Sequence, residues 1–111
     1  MELGPEHRLA VYGSLAPGGS NHHQLAGLTG AWSSGVLRGE RNSRGFGTAG
    51  GFPGLVLRPD GGEVAVQVFT SPDLPAHWPR LDRFEGKDYR RVTTQVLTPD
   101  GPIEAQVYVV G

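Results

Sequence analysis

Glu85 occupies the position in this sequence that best suits acid–base chemistry. On a helix, Leu81 and Glu85 lie four residues apart and therefore share a face. If that helix begins before Pro79, then Leu74 and Trp78 extend the same apolar stripe, whereas a helix that begins at the proline is shorter. In both cases a carboxyl group continues an apolar face at the C-terminal end of a helix.

Both circumstances disfavour the ionised form of Glu85. Burial removes water from the carboxylate, and the negative end of the helix dipole opposes its charge, so the pKa is expected to rise. A glutamate with a raised pKa can act as a general base or acid near neutral pH. The alternative is a partly exposed glutamate paired with Arg90 or Arg91, and the spacing alone leaves both interpretations open.

A glycine-rich stretch, VYGSLAPGGSNHH, follows the first strand-like run. From Gly13 its spacing differs by one residue from that of a phosphate-binding P-loop. Gly19 stands where the P-loop lysine is required, and Pro17 removes a backbone N–H donor, so nucleotide binding is not expected. The free N–H groups of such a loop can instead hold another anion, such as a carboxylate.

The sequence gives little support for a metal site, a nucleophilic serine or a site that uses cysteine. Adjacent His22 and His23 would point about 100° apart on a helix, which disfavours a shared metal. Ser14 lacks the G-x-S-x-G context of a nucleophilic serine. The absence of cysteine excludes disulfides and thiolate chemistry.

Five of the ten basic residues fall between Arg80 and Arg91, interleaved with acidic residues. That pattern predicts a solvated mixed face, from which an arginine could still bind a substrate carboxylate.

Composition bounds the class of protein. The chain has 111 residues and a net charge of −1, which predicts a single domain over residues 1–111 and no attraction to nucleic acid or membranes. No apolar run approaches the roughly 20 residues of a membrane span, and the N-terminal segment lacks the apolar region of a secretory signal. We therefore expect a cytoplasmic protein whose partner is a small molecule. The oligomeric state is left open.

The 18 glycines and nine prolines are dispersed between β-like runs. Asp-Gly pairs predict two hairpins, around residues 59–62 and 99–101. Together with LAVYGSL and VLRGER they give about six strands, which favours a small, largely antiparallel barrel or sandwich. Short helices are predicted after Asn21 and before Gly86.

Two motifs together carry a resemblance to a known family. Residues 12–15 read YGSL, and residues 81–92 read LDRFEGKDYRRV. They resemble the gamma-glutamyl cyclotransferase-like family, whose members end their first strand in YGSL or YGTL and later carry L-D-x-x-E-G and Y-x-R-x-x-V. Asn21, the FPGL segment and the closing AQVYVV strand extend the resemblance from Leu9 to Val110. Gln106 departs from it, because the family often has tryptophan there, and the Gly86–Tyr89 connection is short.

The resemblance implies an α+β fold, a small mixed and mostly antiparallel β-barrel with short flanking helices. It also implies that a gamma-glutamyl amine or peptide cyclises to 5-oxoproline as its own α-amine attacks its γ-carbonyl, without cofactor or metal. Glu85 matches the family's acid/base glutamate. The substrate-binding residues that the resemblance implies are Tyr12, Gly13, Ser14, Leu15 and Tyr89.

Two functions remain open at this point. One is the cyclotransferase; the other is a non-catalytic module that keeps the pocket for a small ligand or an interaction. Glu85 favours the enzyme, because a protein that only binds needs no desolvated carboxylate there.

Overall fold

The computed structural model describes residues 4–12, 25, 27–42, 54–85 and 89–110. One α-helix, α1, spans Leu74–Glu85, and a short 3-10 helix spans Pro5–His7. The predicted count of about six strands is confirmed, while most of the helix predicted after Asn21 lies outside the described residues. The strands are β1 (Arg8–Val11), β2 (Ala31–Asn42), β3 (Gly54–Leu57), β4 (Gly62–Thr70), β5 (Tyr89–Thr98) and β6 (Gly101–Val110).

The strands form a closed mixed barrel, which confirms the expected α+β fold with a small, mostly antiparallel β-barrel. Their order is β3-β2-β4-β1-β6-β5, and a further pairing of β2 with β5, at Val36 and Leu97, closes the barrel. β1 is antiparallel to β4 and parallel to β6, whereas every other described pairing is antiparallel. Five strands therefore make the barrel, and β3 adds to β2.

Closure depends on a glycine in β2. A Cβ atom at Gly35 would lie 2.5 Å from Cγ1 of Val96 and 3.2 Å from the carbonyl oxygen of Leu97. Val96 is fully buried, and its branched side chain has little freedom to move away. The missing side chain thus lets β5 approach β2 closely enough to complete the barrel.

The first predicted hairpin is wrong, although both of its strands exist. β3 and β4 each pair antiparallel with β2, and Gly39 is opposite both Leu57 and Gly62. The turn between β3 and β4 is closed by a 2.9 Å hydrogen bond from the Gly61 N–H to the Arg58 carbonyl. Because β3 and β4 run in the same direction along β2, this turn does not reverse the chain. The 12 residues of β2 offer partners to both strands. Gly61 in the turn packs against the backbone of Gly39, since a Cβ atom at Gly61 would lie 3.0 Å from the Cα atom and the carbonyl oxygen of Gly39.

The second predicted hairpin is confirmed. β5 and β6 pair along their whole length, from Thr98 opposite Gly101 to Tyr89 opposite Val110. Gly101 has φ of +111°, a conformation that glycine adopts without strain. The local turn therefore sets the register of two ten-residue strands.

Apolar side chains form two clusters on opposite faces of the sheet. β1 contributes to both, because Ala10 points to one face while Leu9 and Val11 point to the other. The barrel interior contains Ala10, Leu37, Leu55, Val64, Val66, Val68, Val96, Ala105, Val107 and Val109. The cluster beneath α1 contains Leu9, Val11, Leu25, Phe69, Leu74, Trp78, Leu81, Tyr89 and Tyr108.

Helix α1 continues through Pro79, so the longer of the two predicted helices is the correct one. Proline removes one backbone hydrogen bond from a helix interior. Burial of Leu74, Trp78 and Leu81 offsets that cost, and the indole N–H of Trp78 donates to the carbonyl of Glu6 at 2.9 Å. Within the described ranges, no helix is long and apolar enough to cross a membrane.

Candidate active site

Strand directions bring three of the predicted site residues to one rim of the barrel. β1 and β6 are parallel, so their C-terminal ends lie at the same rim, and antiparallel β5 begins there. Tyr12 directly follows β1, Tyr89 begins β5, and Glu85 ends α1 just before it. The remaining predicted residues, Gly13, Ser14 and Leu15, follow Tyr12 in the chain and lie outside the described residues.

The two tyrosines are held firmly at this rim. The hydroxyl of Tyr12 donates to the carbonyl oxygen of Tyr108 at 2.7 Å, and its ring packs against the barrel cluster. Tyr89 is buried in the cluster beneath α1. These contacts tie the ends of β1 and β6 together and anchor the start of β5.

Glu85 has the environment that its helical spacing predicts. Its carboxyl group is partly buried at the last residue of α1, and burial raises its pKa from the ordinary value of 4.5 to about 7. Among the residues that the structure describes, none makes a hydrogen bond or an ion pair with it. A carboxyl group in this state exchanges a proton near neutral pH.

The alternative pairing of Glu85 with Arg91 is wrong, because Arg91 is engaged elsewhere. Its Nε donates to Oδ1 of Asp82 at 2.9 Å, and its Nη2 donates to Oδ2 at 3.4 Å. The guanidinium carbon also lies 4.3 Å from the centre of the Trp78 ring, a cation–π contact. The predicted mixed, solvated face therefore does not describe Arg91, whose side chain is only 26% exposed.

A row of polar side chains continues from Arg91 across β5 and β6. Nη1 of Arg91 donates to Oε1 of Gln106 at 3.0 Å, and Nε2 of Gln106 donates to Oγ1 of Thr93 at 2.6 Å. The hydroxyl of Tyr108 donates to Oδ1 of Asp82 at 2.6 Å. The glutamine that departs from the family pattern is thus a buried polar link in this row.

The carboxyl groups of Asp82 and Glu85 lie three residues apart on α1 but have opposite pKa shifts. Burial acts to raise the pKa of Asp82, yet hydrogen bonds from Arg91 and Tyr108 outweigh it and lower that pKa. Burial also raises the pKa of Tyr108, and its hydrogen bond to Asp82 raises it further, so the phenol keeps its proton. Near pH 7 the C-terminal end of α1 therefore carries an ionised carboxylate, that of Asp82, and a carboxyl group that exchanges its proton, that of Glu85.

The sequence interpretation missed the roles of Asp82, Tyr108 and Gln106, although a signal was present. Counting outward from the turn at residues 99–100 pairs Arg91 with Tyr108 and Thr93 with Gln106, as the structure does. Because alternate residues of a strand share a face, the predicted hairpin was sufficient to predict this row of polar side chains.

Metal binding has no support in the described part of the chain, which contains no group of three or more His, Cys, Asp or Glu side chains placed around a common point. His22 and His23 lie outside the described residues.

The barrel, its helix and its rim define a class of small mixed α+β barrels that other solved structures share. YkqA from Bacillus subtilis is 27% identical with a TM-score of 0.73, and the match covers 95% of this chain and 36% of YkqA. At3g28950.1 from Arabidopsis thaliana is 27% identical with a TM-score of 0.71, covering 94% of this chain and 61% of that protein. This chain thus spans less than two thirds of either protein.

The family follows from a match over most of the chain. A family model described as "Gamma-glutamyl cyclotransferase, AIG2-like" matches residues 9–111, and the chain belongs to this family. A solved gamma-glutamyl cyclotransferase is 21% identical with a TM-score of 0.69, covering 95% of this chain and 66% of that one, a likeness of fold alone. A comparison with curated proteins finds no match. The resemblance inferred from the two motifs is confirmed.

Proposed function

We propose that the protein is a cyclotransferase that converts a small gamma-glutamyl amine or peptide to 5-oxoproline and a free amine, with Glu85 as general acid and base. Membership in the family supports cyclotransferase chemistry in general. The observation that carries the specific proposal is the partly buried Glu85 carboxyl group, with a pKa of about 7, at the rim where β1 ends.

The pKa of Glu85 suits the first proton transfer of this reaction. The substrate's α-ammonium group, with a pKa of roughly 7.7–8.0, must lose a proton before its nitrogen can attack. Transfer to a carboxylate of pKa about 7 costs about 1 kcal/mol, against about 5 kcal/mol for an unperturbed glutamate. Burial of Glu85 thus lowers the cost of generating the free amine.

The proton transfers accompany the formation of one C–N bond and the breaking of another. The free α-amine attacks the γ-carbonyl carbon, which forms the ring C–N bond and a tetrahedral oxyanion. Glu85 returns its proton to the leaving nitrogen as the original amide C–N bond breaks. The ring nitrogen, which is cationic after the attack, loses its extra proton to the released amine, so the products are a neutral lactam and an ammonium ion. Because attack is intramolecular, with effective molarities of roughly 10⁵–10⁸ M for well-oriented groups, no protein nucleophile is required.

The segment after β1 is assigned the binding role in this proposal. Backbone N–H groups of Gly13, Ser14 and Leu15 would hold the substrate's α-carboxylate or the oxyanion. Tyr12 and Tyr89 support this role, because their contacts hold the strand ends that bracket the rim.

The direct test is to incubate the protein with a panel of gamma-glutamyl amines and peptides and to measure 5-oxoproline. Glu85→Gln keeps the size of the side chain but cannot accept a proton, so turnover should fall by roughly 10²–10⁴ while substrate still binds. Turnover by the parent should rise with pH through an acid limb near 7, where Glu85 becomes ionised. Glu63→Gln, which changes an exposed carboxylate on β4, is the matched control.

Two outcomes would contradict the proposal in different ways. If Glu85→Gln cyclises substrate at the parent rate, another group moves the proton. If the parent binds a member of the panel yet forms no 5-oxoproline, the non-catalytic binding module is the correct function.

A further inference from the structure

The last turn of α1, residues 82–85, is attached to the described part of the barrel by polar contacts. The buried side chains of α1 all precede this turn: Leu74, Trp78 and Leu81. Phe84, within the turn, is 37% exposed. Among the described residues, every side-chain hydrogen bond that joins this turn to the barrel is accepted by the carboxylate of Asp82. The attachment of the turn therefore depends on one side chain.

Asp82 binds donors on two strands. Arg91 on β5 donates to its two oxygens at 2.9 and 3.4 Å, and Tyr108 on β6 donates at 2.6 Å. The guanidinium group of Arg91 has further contacts, because it stacks on Trp78 at 4.3 Å and donates to Gln106 at 3.0 Å. The Asp82 carboxylate thus meets donors that their own neighbours already hold in place.

The ionised form of Glu85 favours release of this turn into water. A pKa of about 7 in the folded protein, against an ordinary value of 4.5, means that the carboxylate prefers water by a factor of about 300. Helix ends also fray readily, since the last carbonyl groups lack partners within the helix. When Glu85 loses its proton, another interaction therefore has to keep the turn on the barrel.

We infer that Asp82, Arg91 and Tyr108 are positioning residues, a clamp that holds the last turn of α1 on β5 and β6 and so keeps the Glu85 carboxyl group at the rim throughout the reaction. The inference rests on the proposed function and adds three side chains to it. None of the three touches the reacting atoms or exchanges a proton.

The charges of the clamp stay constant while Glu85 titrates. Burial alone would raise the pKa of Asp82, but its hydrogen bonds lower it, so the carboxylate stays ionised. Burial raises the pKa of Tyr108, so the phenol keeps its proton, and a guanidinium group does not deprotonate in proteins. The clamp therefore holds the turn both when Glu85 carries a proton and when it does not.

Arg91→Met tests the clamp without substrate, because two effects of this change on Glu85 have opposite signs. Methionine keeps a flexible apolar side chain against Trp78 but donates no hydrogen bond. Loss of the positive charge alone would raise the pKa of Glu85, whereas release of the turn into water would lower it toward 4.5. The other charged and titratable groups on the elements that meet at this rim are unchanged: Tyr12, Asp82, Arg83, Tyr89, Arg90 and Tyr108.

The titration midpoint of the Glu85 side-chain carboxyl carbon is measured by ¹³C NMR in the parent, Arg91→Met and Arg83→Met. Arg83 is exposed in the same turn, so its replacement removes a charge and leaves the clamp intact. The midpoint should fall by about one pKa unit in Arg91→Met, the size of a hydrogen bond to a charged group, and should not fall in Arg83→Met. A midpoint that rises or stays constant in Arg91→Met, or that falls equally in both variants, would overturn the inference.

Tyr108→Phe replaces Arg91→Met if the latter does not fold. It removes the hydroxyl that donates to Asp82, keeps the ring and changes no charge. The midpoint of Glu85 should then fall by about half a pKa unit, and an unchanged midpoint would overturn the inference.

Kinetic constants distinguish a clamp from an arginine that binds the substrate. A clamp predicts that Arg91→Met lowers kcat about tenfold with little change in KM, because misplaced reacting groups lose rate while the binding segment after β1 is unaltered. Arg91→Lys keeps the charge and one donor for Asp82, so it should recover part of kcat. A raised KM with kcat unchanged would show that Arg91 binds substrate and would overturn the clamp.

Failure of this inference and failure of the proposed function give different results. A falling midpoint in Arg91→Met, for a parent that forms no 5-oxoproline, upholds the clamp on Glu85 and removes the cyclotransferase. A midpoint that does not fall, for a parent that forms 5-oxoproline, removes the clamp and leaves the cyclotransferase.

Discussion

Replacing Glu85 by glutamine should stabilise the fold at alkaline pH. In the native state the pKa of Glu85 is about 7, against an ordinary value of 4.5 for the unfolded chain. Between these values the native state holds a proton that the unfolded state has lost. The protonated carboxyl group therefore contributes stability that is fully present below pH 4.5 and is lost as pH rises through 7.

The size of the effect follows from the two pKa values. Integrating proton binding between pH 5 and pH 8.5 gives a loss of about 2.5 kcal/mol from the free energy of unfolding of the parent. Glutamine has no proton to lose, so Glu85→Gln escapes this loss. That amount is a large fraction of the stability of a small domain, as expected for a residue kept for function.

Urea unfolding of the parent and Glu85→Gln at both pH values measures this difference. Other titrating groups are common to the two proteins and cancel, so the variant's advantage should grow by about 2.5 kcal/mol between pH 5 and pH 8.5. Glu63→Gln, with its exposed carboxylate, should follow the parent at both pH values. An advantage of the same size at both pH values would refute the argument, because the Glu85 carboxylate would then not be desolvated.

Two further predictions concern glycines. Gly35→Ala should destabilise the protein by about 1–3 kcal/mol in denaturant unfolding, because its Cβ would meet Val96 at 2.5 Å. Gly62→Ala, whose Cβ would have no neighbour within 4 Å, should be neutral, and equal losses at the two positions would show that barrel closure does not depend on Gly35. In the segment after β1, Ser14→Ala should have little effect on ligand affinity, whereas Gly13→Val should abolish binding if backbone N–H groups hold the ligand. Small and equal effects on affinity would indicate an ordinary turn.

Local signals determined a substantial part of this fold. The turn at residues 99–101 specifies the β5–β6 hairpin, because turn geometry sets strand register and a period of two then assigns every side chain to a face. The four-residue spacing of Leu81 and Glu85 placed a carboxyl group on the buried side of α1. Two motifs far apart in the chain identified the family. Each of these signals depends on residues close in sequence or on recognisable short patterns.

Only the tertiary structure decided how distant segments meet. An Asp-Gly turn predicts a hairpin, yet β3 and β4 both pair with β2, because a long strand elsewhere in the chain offers more partners than a four-residue neighbour. Pro79 by itself predicts a short helix, but burial of Leu74 and Trp78 stabilises a helix that continues through the proline. Parallel pairing of β1 with β6 brings the end of β1 to the rim near Glu85. The raised pKa of Glu85 has the same origin, because desolvation depends on surrounding atoms that no local pattern specifies.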